Sequence, residues 1–248
     1  MEPRAISFVC DFTYVDWTMT TPSQFDEYAG NYDAALGRGL AFSGEDKEYF
    51  AHGRVAWLAR CLRDLREHPK RVMDYGCGEG STTRLFFDLL GAEFVLGVES
   101  SEKLLDLARR TCGSEQAHFS LLDQYAPDGR MDLVYCNGVF HHIPVHKRAA
   151  AIDYVRRSLR PSGLFAFWEN NPWNPGTRLV MSRIPFDRDA ITLSSHEARR
   201  LLRAGGFEIL RTNYLFIFPK ALKRFRRIEP LMSRFPLGAQ LQVLCRKP

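Results

Sequence analysis

A glycine-rich turn follows the first clear strand of the chain. Residues 71–80 read Arg-Val-Met-Asp-Tyr-Gly-Cys-Gly-Glu-Gly, so Asp74 stands two residues before Gly76, with Gly78 close behind. About twenty residues later a second apolar run ends in Glu99. Glycines let the backbone turn sharply into a helix and approach a ligand, and a carboxylate on the neighbouring strand can bind two ribose hydroxyls. This spacing predicts a site for a cofactor that carries adenosine.

The spacing of the glycines bears on which cofactor that would be. A glycine turn followed by an acid could also hold a nicotinamide or flavin dinucleotide. Here Gly80 comes two positions after Gly78, and Ser81 stands where the dinucleotide pattern G-x-G-x-x-G has its third glycine. Two more polar residues, Asp123 and Asn137, follow the third and fourth predicted strands, where parallel sheets bind their ligands. The pattern disfavours a dinucleotide.

The elements that must position these residues alternate along the chain. Strands are predicted near 71–75, 93–98, 116–121, 131–136 and 163–168, helices near 80–90, 101–111 and 145–159, and two further strands within 207–218 and 239–245. Such alternation is typical of a parallel sheet with helices on both faces. We therefore predict an α/β fold of the doubly wound, Rossmann-like kind.

Local signals support the helix boundaries. Ser100 or Ser101 can cap the second helix, and Pro144 stands where a first-turn proline belongs. The run 194–197, Ser-Ser-His-Glu, offers a capping box for a later helix. His196 is therefore assigned to the helix start and not to a site.

Composition and charge exclude several classes of protein. The chain has 248 residues, 45% of them hydrophobic, as in a globular domain, and no apolar run approaches the ~18 residues that span a bilayer. Six scattered cysteines lack metal-ligand spacing, so we expect reduced thiols in a cytoplasmic protein, no zinc site and no signal peptide. Residues 211–248 carry nine Lys/Arg and one acid, which leaves −3 for residues 1–210 and disfavours a nucleic-acid partner.

The ordered motifs resemble those of class I S-adenosylmethionine-dependent methyltransferases. The segments that carry the resemblance are 74–80, 98–100, 122–124, 132–137 and 159–163. It covers roughly residues 24–210, with one departure at Leu164, where many relatives have a second glycine. The resemblance implies S-adenosyl-L-methionine as cofactor and a seven-stranded sheet whose last strand is antiparallel.

The resemblance also assigns roles to residues by matching position. The turn of Gly76, Cys77 and Gly78 would approach the methionine part of the cofactor, and Asp74 would organise its amine. Glu99, with Ser100 beside it, would bind the ribose hydroxyls. The remaining predicted cofactor contacts are Asp123 and Gln124 at the adenine, Asn137 and His142 near the sulfonium, and Tyr32 and Arg54. Packing of at least one of Tyr28 and Tyr32 in the core, and an ordinary surface position for Arg54, remain alternatives.

Three residues are predicted to act in methyl transfer. His141 is the preferred general base, and Glu169 and Tyr32 are the other candidates; a purely structural role for both His141 and His142 remains an alternative. The polar, aromatic loop 169–174 would shape the acceptor pocket. The predicted activity is methyl transfer to a small-molecule acceptor, from secondary or lipid metabolism. The alternatives are an RNA or protein methyltransferase and a non-catalytic cofactor-binding protein.

The ends of the chain differ from its middle. Residues 1–23 are predicted to be an N-terminal extension, and 24–248 a single methyltransferase domain. Within it, 219–235 is predicted to be a basic amphipathic helix or lid. Apolar residues between cations could contact an anionic membrane or a lipid-like acceptor; a solvated helix over the sheet edge is the alternative.

Overall fold

Seven strands form one sheet in the computed structural model, which describes residues 37, 39–40, 43–187 and 190–248. In chain order they are β1 (Arg71–Tyr75), β2 (Phe94–Glu99), β3 (Ala117–Leu121), β4 (Met131–Asn137), β5 (Leu159–Asn170), β6 (Glu208–Leu215) and β7 (Gln240–Arg246). Each predicted strand is confirmed. β5 starts four residues earlier than predicted and includes Ser162 at a φ of 61°.

Helices connect the strands. They are α1 (Lys47–Leu65), α2 (Thr83–Leu85, continued by a π-helical turn, Phe86–Leu90), α3 (Glu102–Cys112), α4 (Arg148–Ser158), α5 (Pro175–Arg183), α6 (Ser195–Ala204) and α7 (Glu229–Met232). Short 3₁₀ turns cover Val145–Lys147, Pro185–Asp187 and Lys220–Ile228. Among the described residues, no helix is long and apolar enough to cross a membrane.

The order of the strands confirms the predicted topology. The sheet runs β3-β2-β1-β4-β5-β7-β6, and β7 pairs antiparallel with both of its neighbours while the pairs from β3 to β5 are parallel. The chain changes direction across the sheet between β1 and β4. In open α/β sheets, ligands bind at such a switch point, outside the carboxyl ends of the strands.

Two apolar cores lie on opposite faces of the sheet because successive strand residues point to opposite sides. On β1, Val72 packs against α1 and α2, whereas Met73 belongs to the core under α4 and α6. Both side chains are fully buried. Burial on both faces explains why the central strands are almost continuously apolar in sequence.

The helix boundaries follow the local signals. Ser101, not Ser100, caps α3 by accepting a hydrogen bond from the Leu104 N–H at 3.3 Å. Ser194 and Glu197 form the predicted capping box at α6. Helix α5 was not predicted, although Asn174 caps it and Pro175 occupies its first turn, which is a usual helix start.

The basic segment 219–235 contains the 3₁₀ turn Lys220–Ile228 and helix α7. It packs across the start of α1. There Arg226 Nη1 donates to Glu45 Oε1 at 2.8 Å, and its guanidinium lies 4.6 Å from the centre of the Tyr49 ring. Because β6 runs parallel to β5, the segment follows a carboxyl strand end, so it lies at the same edge of the sheet as the switch point.

Candidate functional site

The glycine turn lies at the carboxyl end of β1 and bends sharply. The N–H of Gly76 donates to the Val98 carbonyl at 2.8 Å, which ties the turn to β2. Gly76 has a φ of 77°, and a Cβ there would lie 2.3 Å from Val139 Cγ2. Gly78 also has a positive φ, of 54°, but a Cβ on it would meet no atom within 4 Å. Glycine is thus required at 76 for packing, whereas at 78 it leaves space open beside the backbone.

Glu99 gathers the backbone donors around this turn. Its Oε2 accepts from the Gly78 N–H at 3.0 Å, and its Oε1 accepts from the Ser100 N–H at 2.7 Å and from the Ser101 N–H at 3.2 Å. The Ser100 hydroxyl donates to the same oxygen at 3.0 Å. A carboxylate can accept about four hydrogen bonds. Oε2 has one partner among the described residues and can accept another.

Asp74 is buried just below the turn. Burial raises the pKa of its carboxyl from the usual 3.8 to about 7, Glu99 adds to the rise, and Arg54 opposes it. A cation brought against Asp74 would favour its ionised form. This position suits a carboxyl that meets a positively charged ligand.

Arg54 is buried on α1, not at the surface. Its Nε donates to the Tyr135 hydroxyl at 2.9 Å, and its Nη1 donates to Gln240 Oε1 at 3.0 Å. The alternative of an ordinary surface arginine is therefore wrong. Its charge lies close enough to Asp74 to lower the pKa of that residue.

Polar groups end the neighbouring strands as predicted. Asn137 closes β4, and its Oδ1 is buried without a hydrogen-bond partner among the described residues. Asp123 and Gln124 lie exposed in the turn after β3, where the Gln124 N–H donates to the Leu121 carbonyl at 3.1 Å. A buried, unpaired amide oxygen costs free energy, so a ligand donor there would be stabilising.

Cys77 points down into the protein. Its thiol is buried, and burial raises its pKa well above the ordinary value. A Cβ on Gly97 would lie 2.7 Å from its Sγ, so the thiol fills the space that Gly97 leaves. The backbone of Cys77 is held within the turn, since its N–H donates to the Val98 carbonyl at 3.2 Å and its carbonyl accepts from the Gly80 N–H at 3.0 Å.

A buried cluster of histidines and carboxylates lies beyond β4. The His141 Nδ1–H donates to Glu169 Oε2 at 2.6 Å, and the Phe140 N–H donates to Glu169 Oε1 at 2.7 Å. His141 Nε2 lies 3.5 Å from Asp187 Oδ1, and His142 Nε2 lies 3.3 Å from the same oxygen. The centres of the His141 and His142 imidazole rings are 4.1 Å apart.

The charges in this cluster bear on the predicted catalytic roles. Burial alone would lower the pKa of His141, but Glu169 and Asp187 outweigh it and raise that pKa to about 10. At neutral pH the imidazole of His141 therefore holds a proton between two carboxylates, and it is not a free base in this arrangement. Glu169 uses both oxygens on Phe140 and His141, so it positions the turn after β4.

Asp187 is a member of the cluster that the sequence did not reveal. It belongs to the 3₁₀ turn Pro185–Asp187, 45 residues beyond His142. The chain beyond it is tied to the histidine turn, since the Ile191 N–H donates to the His141 carbonyl at 2.9 Å and Arg148 Nη2 donates to the Ile191 carbonyl at 2.5 Å. Hydrogen bonds from both histidines lower the pKa of Asp187 against the effect of burial.

The loop after β5, which was predicted to shape the acceptor pocket, has one buried residue that bonds the chain before β7 and one residue that is exposed. Asn171 is buried and donates to the carbonyls of Pro236 and Gly238 at 3.1 and 2.8 Å. Trp173, by contrast, is 59% exposed. Tyr28 and Tyr32 lie outside the described residues, so their predicted contacts stay predictions.

Comparison with known proteins finds a family match over the part of the chain that contains the glycine turn and the two histidines of the cluster. Residues 72–163 match a family model described as a methyltransferase domain. A trans-aconitate 2-methyltransferase of Azoarcus sp. is 29% identical over 148 residues, 57% of this chain and 56% of the relative. One of Methylobacterium nodulans is 34% identical over 116 residues, 45% of this chain and 43% of the relative. The chain thus spans about half the length of the curated relatives that it matches.

Solved structures agree on the fold. An S-adenosylmethionine-dependent methyltransferase from Thermotoga maritima aligns with a TM-score of 0.64 at 19% identity, over 90% of this chain and 98% of its own. Another, from Mesorhizobium loti, aligns with a TM-score of 0.55 at 21% identity, over 75% of this chain and 96% of its own. The chain therefore has the fold of these S-adenosylmethionine-dependent methyltransferases, and its residues 72–163 match the methyltransferase-domain model.

Proposed function

We propose that the protein transfers a methyl group from S-adenosylmethionine to a small-molecule acceptor. The observation that carries this proposal is the turn of Gly76 and Gly78, open on one side and held by the Glu99 carboxylate at the switch point of the sheet. A turn of this kind next to a carboxylate matches an adenosine and its attached amino acid better than it matches a dinucleotide.

Four features of the site fit this cofactor. The open side of Gly78 leaves room for a ligand against the backbone, and Glu99 Oε2 can accept a ribose hydroxyl. Asp74 provides a buried carboxyl for the amino group of the methionine part. The unpaired Oδ1 of Asn137 carries a partial negative charge, which would attract the positively charged sulfur if the sulfonium end lies beside it, as we propose. Each is a polar group or a space that a bound cofactor would satisfy or fill.

The chain's own residues chiefly hold and orient the reactants. When bound, the cofactor supplies an electrophilic methyl group on a positively charged sulfur. Orientation of two reactants can lower a barrier by roughly 7–11 kcal/mol, so a fixed geometry is the main requirement. Glu169 fixes the turn after β4 through Phe140 and His141. That turn also contacts the glycine turn through Val139, and we propose that it flanks the acceptor.

A small molecule is the acceptor class that the observations favour. The curated relatives are named trans-aconitate 2-methyltransferases, after a small organic acid. The −3 balance of residues 1–210 argues against a long nucleic acid over this part of the chain. An acceptor that arrives ionised needs no general base, so this proposal does not depend on His141 as a base.

We also propose that segment 219–235, with Leu237, contacts an anionic lipid surface. Its large apolar side chains are exposed, namely Leu222, Phe225, Ile228, Leu231, Phe235 and Leu237. Lys220 precedes them, and Lys223, Arg224, Arg227 and Arg234 stand between them. Exposed apolar groups among cations suit an interface of acyl chains and anionic headgroups. An acceptor with a lipid-like part would then reach the site from that surface.

Incubation with methyl-labelled cofactor tests the activity. Separate pools of small molecules, tRNA and peptides would each be incubated with the protein, and we expect label in the small-molecule pool alone. Label only in RNA or peptide would overturn the acceptor class. Cofactor binding with no transfer to any pool would favour a non-catalytic binding protein.

A further inference from the structure

The buried cluster at the end of β4 contains three potential metal ligands that point at one another. They are one ring nitrogen each of His141 and His142 and a carboxylate oxygen of Asp187, and these three atoms lie within 4.8 Å of one another. The proposed methyl transfer gives these three groups together no common task. Their convergence needs its own explanation.

The distances within the cluster match those between ligands of one ion. In a tetrahedral site with bonds of about 2.0–2.1 Å, neighbouring ligand atoms are ~3.4 Å apart. Asp187 Oδ1 lies 3.5 Å from His141 Nε2 and 3.3 Å from His142 Nε2. The ligand atoms therefore need little movement to bind an ion, which would take the place of the proton between His141 Nε2 and Asp187.

A carboxylate behind one ligand completes the pattern. Histidines that bind metals generally donate their other ring N–H to a carboxylate, which fixes the tautomer and the ring orientation. Glu169 has this position, because it accepts from His141 Nδ1 at 2.6 Å and leaves Nε2 directed at Asp187. Glu169 is itself fixed by the Phe140 N–H at 2.7 Å.

We propose that His141, His142 and Asp187 bind one divalent transition-metal ion, with Glu169 as the outer carboxylate. Two imidazoles and one carboxylate are the donor set of both catalytic zinc sites and non-haem ferrous sites. Three protein ligands leave at least one position open. The side chain of His142 is 15% exposed, against 3% for His141 and 7% for Asp187, so His142 is the most accessible of the three ligands.

The sequence predicted no metal site because its ligands do not form a recognisable sequence motif. Adjacent histidines lack the i, i+4 spacing that places two ligands on one helix face. The third ligand comes from a turn after α5, and only the fold brings it within reach. This inference stands on the geometry of the cluster and does not depend on the proposed function.

Cobalt binding tests the site without reference to activity. Tag-free protein is stripped with a chelator and titrated with Co²⁺, whose visible absorption is strong in a four-coordinate site, and Zn²⁺ is then added as competitor. We expect one equivalent of Co²⁺ per chain, displaced by Zn²⁺. His142→Ala and Asp187→Asn should each weaken binding at least 100-fold, and Glu169→Gln by roughly 10- to 100-fold.

His146→Ala is the matched control, because His146 is exposed on the same loop and outside the cluster. It should bind Co²⁺ as the wild type does. Absence of stoichiometric binding by the wild-type protein would overturn the proposal, as would equal binding by folded His142→Ala. Equal losses in His146→Ala and His142→Ala would overturn it too. If Asp187→Asn does not fold, His142→Ala, at the less buried position, still decides.

Discussion

The proposed contact between Asp74 and the amino group of the cofactor predicts that cofactor binding depends on pH. Its pKa in the ligand-free protein is raised to about 7, and the amino group of the cofactor is a cation that binds the ionised carboxyl better. Below that pKa the ionised fraction falls about tenfold per pH unit. Affinity for S-adenosylhomocysteine, which carries the same amino group, should therefore rise from pH 5.5 to 7 and level off above.

Calorimetry at several pH values measures this dependence. Binding at pH 6 should also release protons, which shows as a dependence of the heat on the buffer. Asp74→Asn should bind more weakly and lose most of the slope between pH 5.5 and 7. An unchanged slope in the variant would assign the titration to another group.

Glu99 should contribute more to cofactor affinity than Asp123 does. Glu99 is buried and holds the backbone donors of the turn, whereas Asp123 is exposed. A hydrogen bond to a charged group contributes about 1.5–3 kcal/mol, so Glu99→Ala should raise Kd by roughly 10- to 100-fold. Asp123→Ala should have the smaller effect. Calorimetry with equal losses in both variants would contradict this order.

At the level of elements, the sheet was predictable because its signals are local. Each central strand is an apolar run bounded by turn residues, and parallel pairing brings their carboxyl ends to one edge. The positions of Asp74, Glu99 and Asn137 at that edge follow directly. These residues could be placed together from the sequence since each is tied to a strand end.

Contacts between distant elements were not predictable in the same way. Arg54 is buried only because α1 packs over β4 and β7, which supply Tyr135 and Gln240 as its partners. Asp187 reaches the histidines from a short turn that has no sequence signature. Helix α5 was missed because its capping Asn174 lies in a run of Asn and Pro that also suits a loop.

The glycine turn allows a matched comparison between two substitutions. Alanine at either Gly76 or Gly78 must adopt a positive φ, which costs about 1–2 kcal/mol. At Gly76 the new Cβ also meets Val139, so the free energy of unfolding should fall by about 3 kcal/mol or more. Gly78→Ala should be less destabilising, but its Cβ would enter the space assigned to the cofactor.

Denaturant unfolding and cofactor titration of both variants separate the two effects. Gly76→Ala should show the larger loss of stability. Gly78→Ala should show the larger loss of cofactor affinity relative to its loss of stability. If Gly78→Ala bound S-adenosylhomocysteine as tightly as the wild type does, the open side of the turn would not be where the cofactor binds.

At the level of the whole molecule, the features with a proposed function share one edge of the sheet. The glycine turn, the histidine cluster and segment 219–235 all follow carboxyl strand ends. The antiparallel direction of β7 is what returns the chain from that edge. A lipid-binding surface on segment 219–235 would therefore lie at the same end of the sheet as the proposed cofactor site.

Binding to vesicles tests that arrangement. The protein should sediment with vesicles that contain anionic phospholipid and much less with neutral ones, and salt should weaken the binding because it screens the cations.

Leu231 is 83% exposed in the middle of the segment. Burying a leucine contributes about 1.5–3 kcal/mol, so Leu231→Glu should lower partitioning at least tenfold. Ala126→Glu, which adds the same charge at an exposed residue between β3 and β4, should have little effect. Equal sedimentation of Leu231→Glu and the wild type would leave segment 219–235 as a solvated cover over the sheet edge.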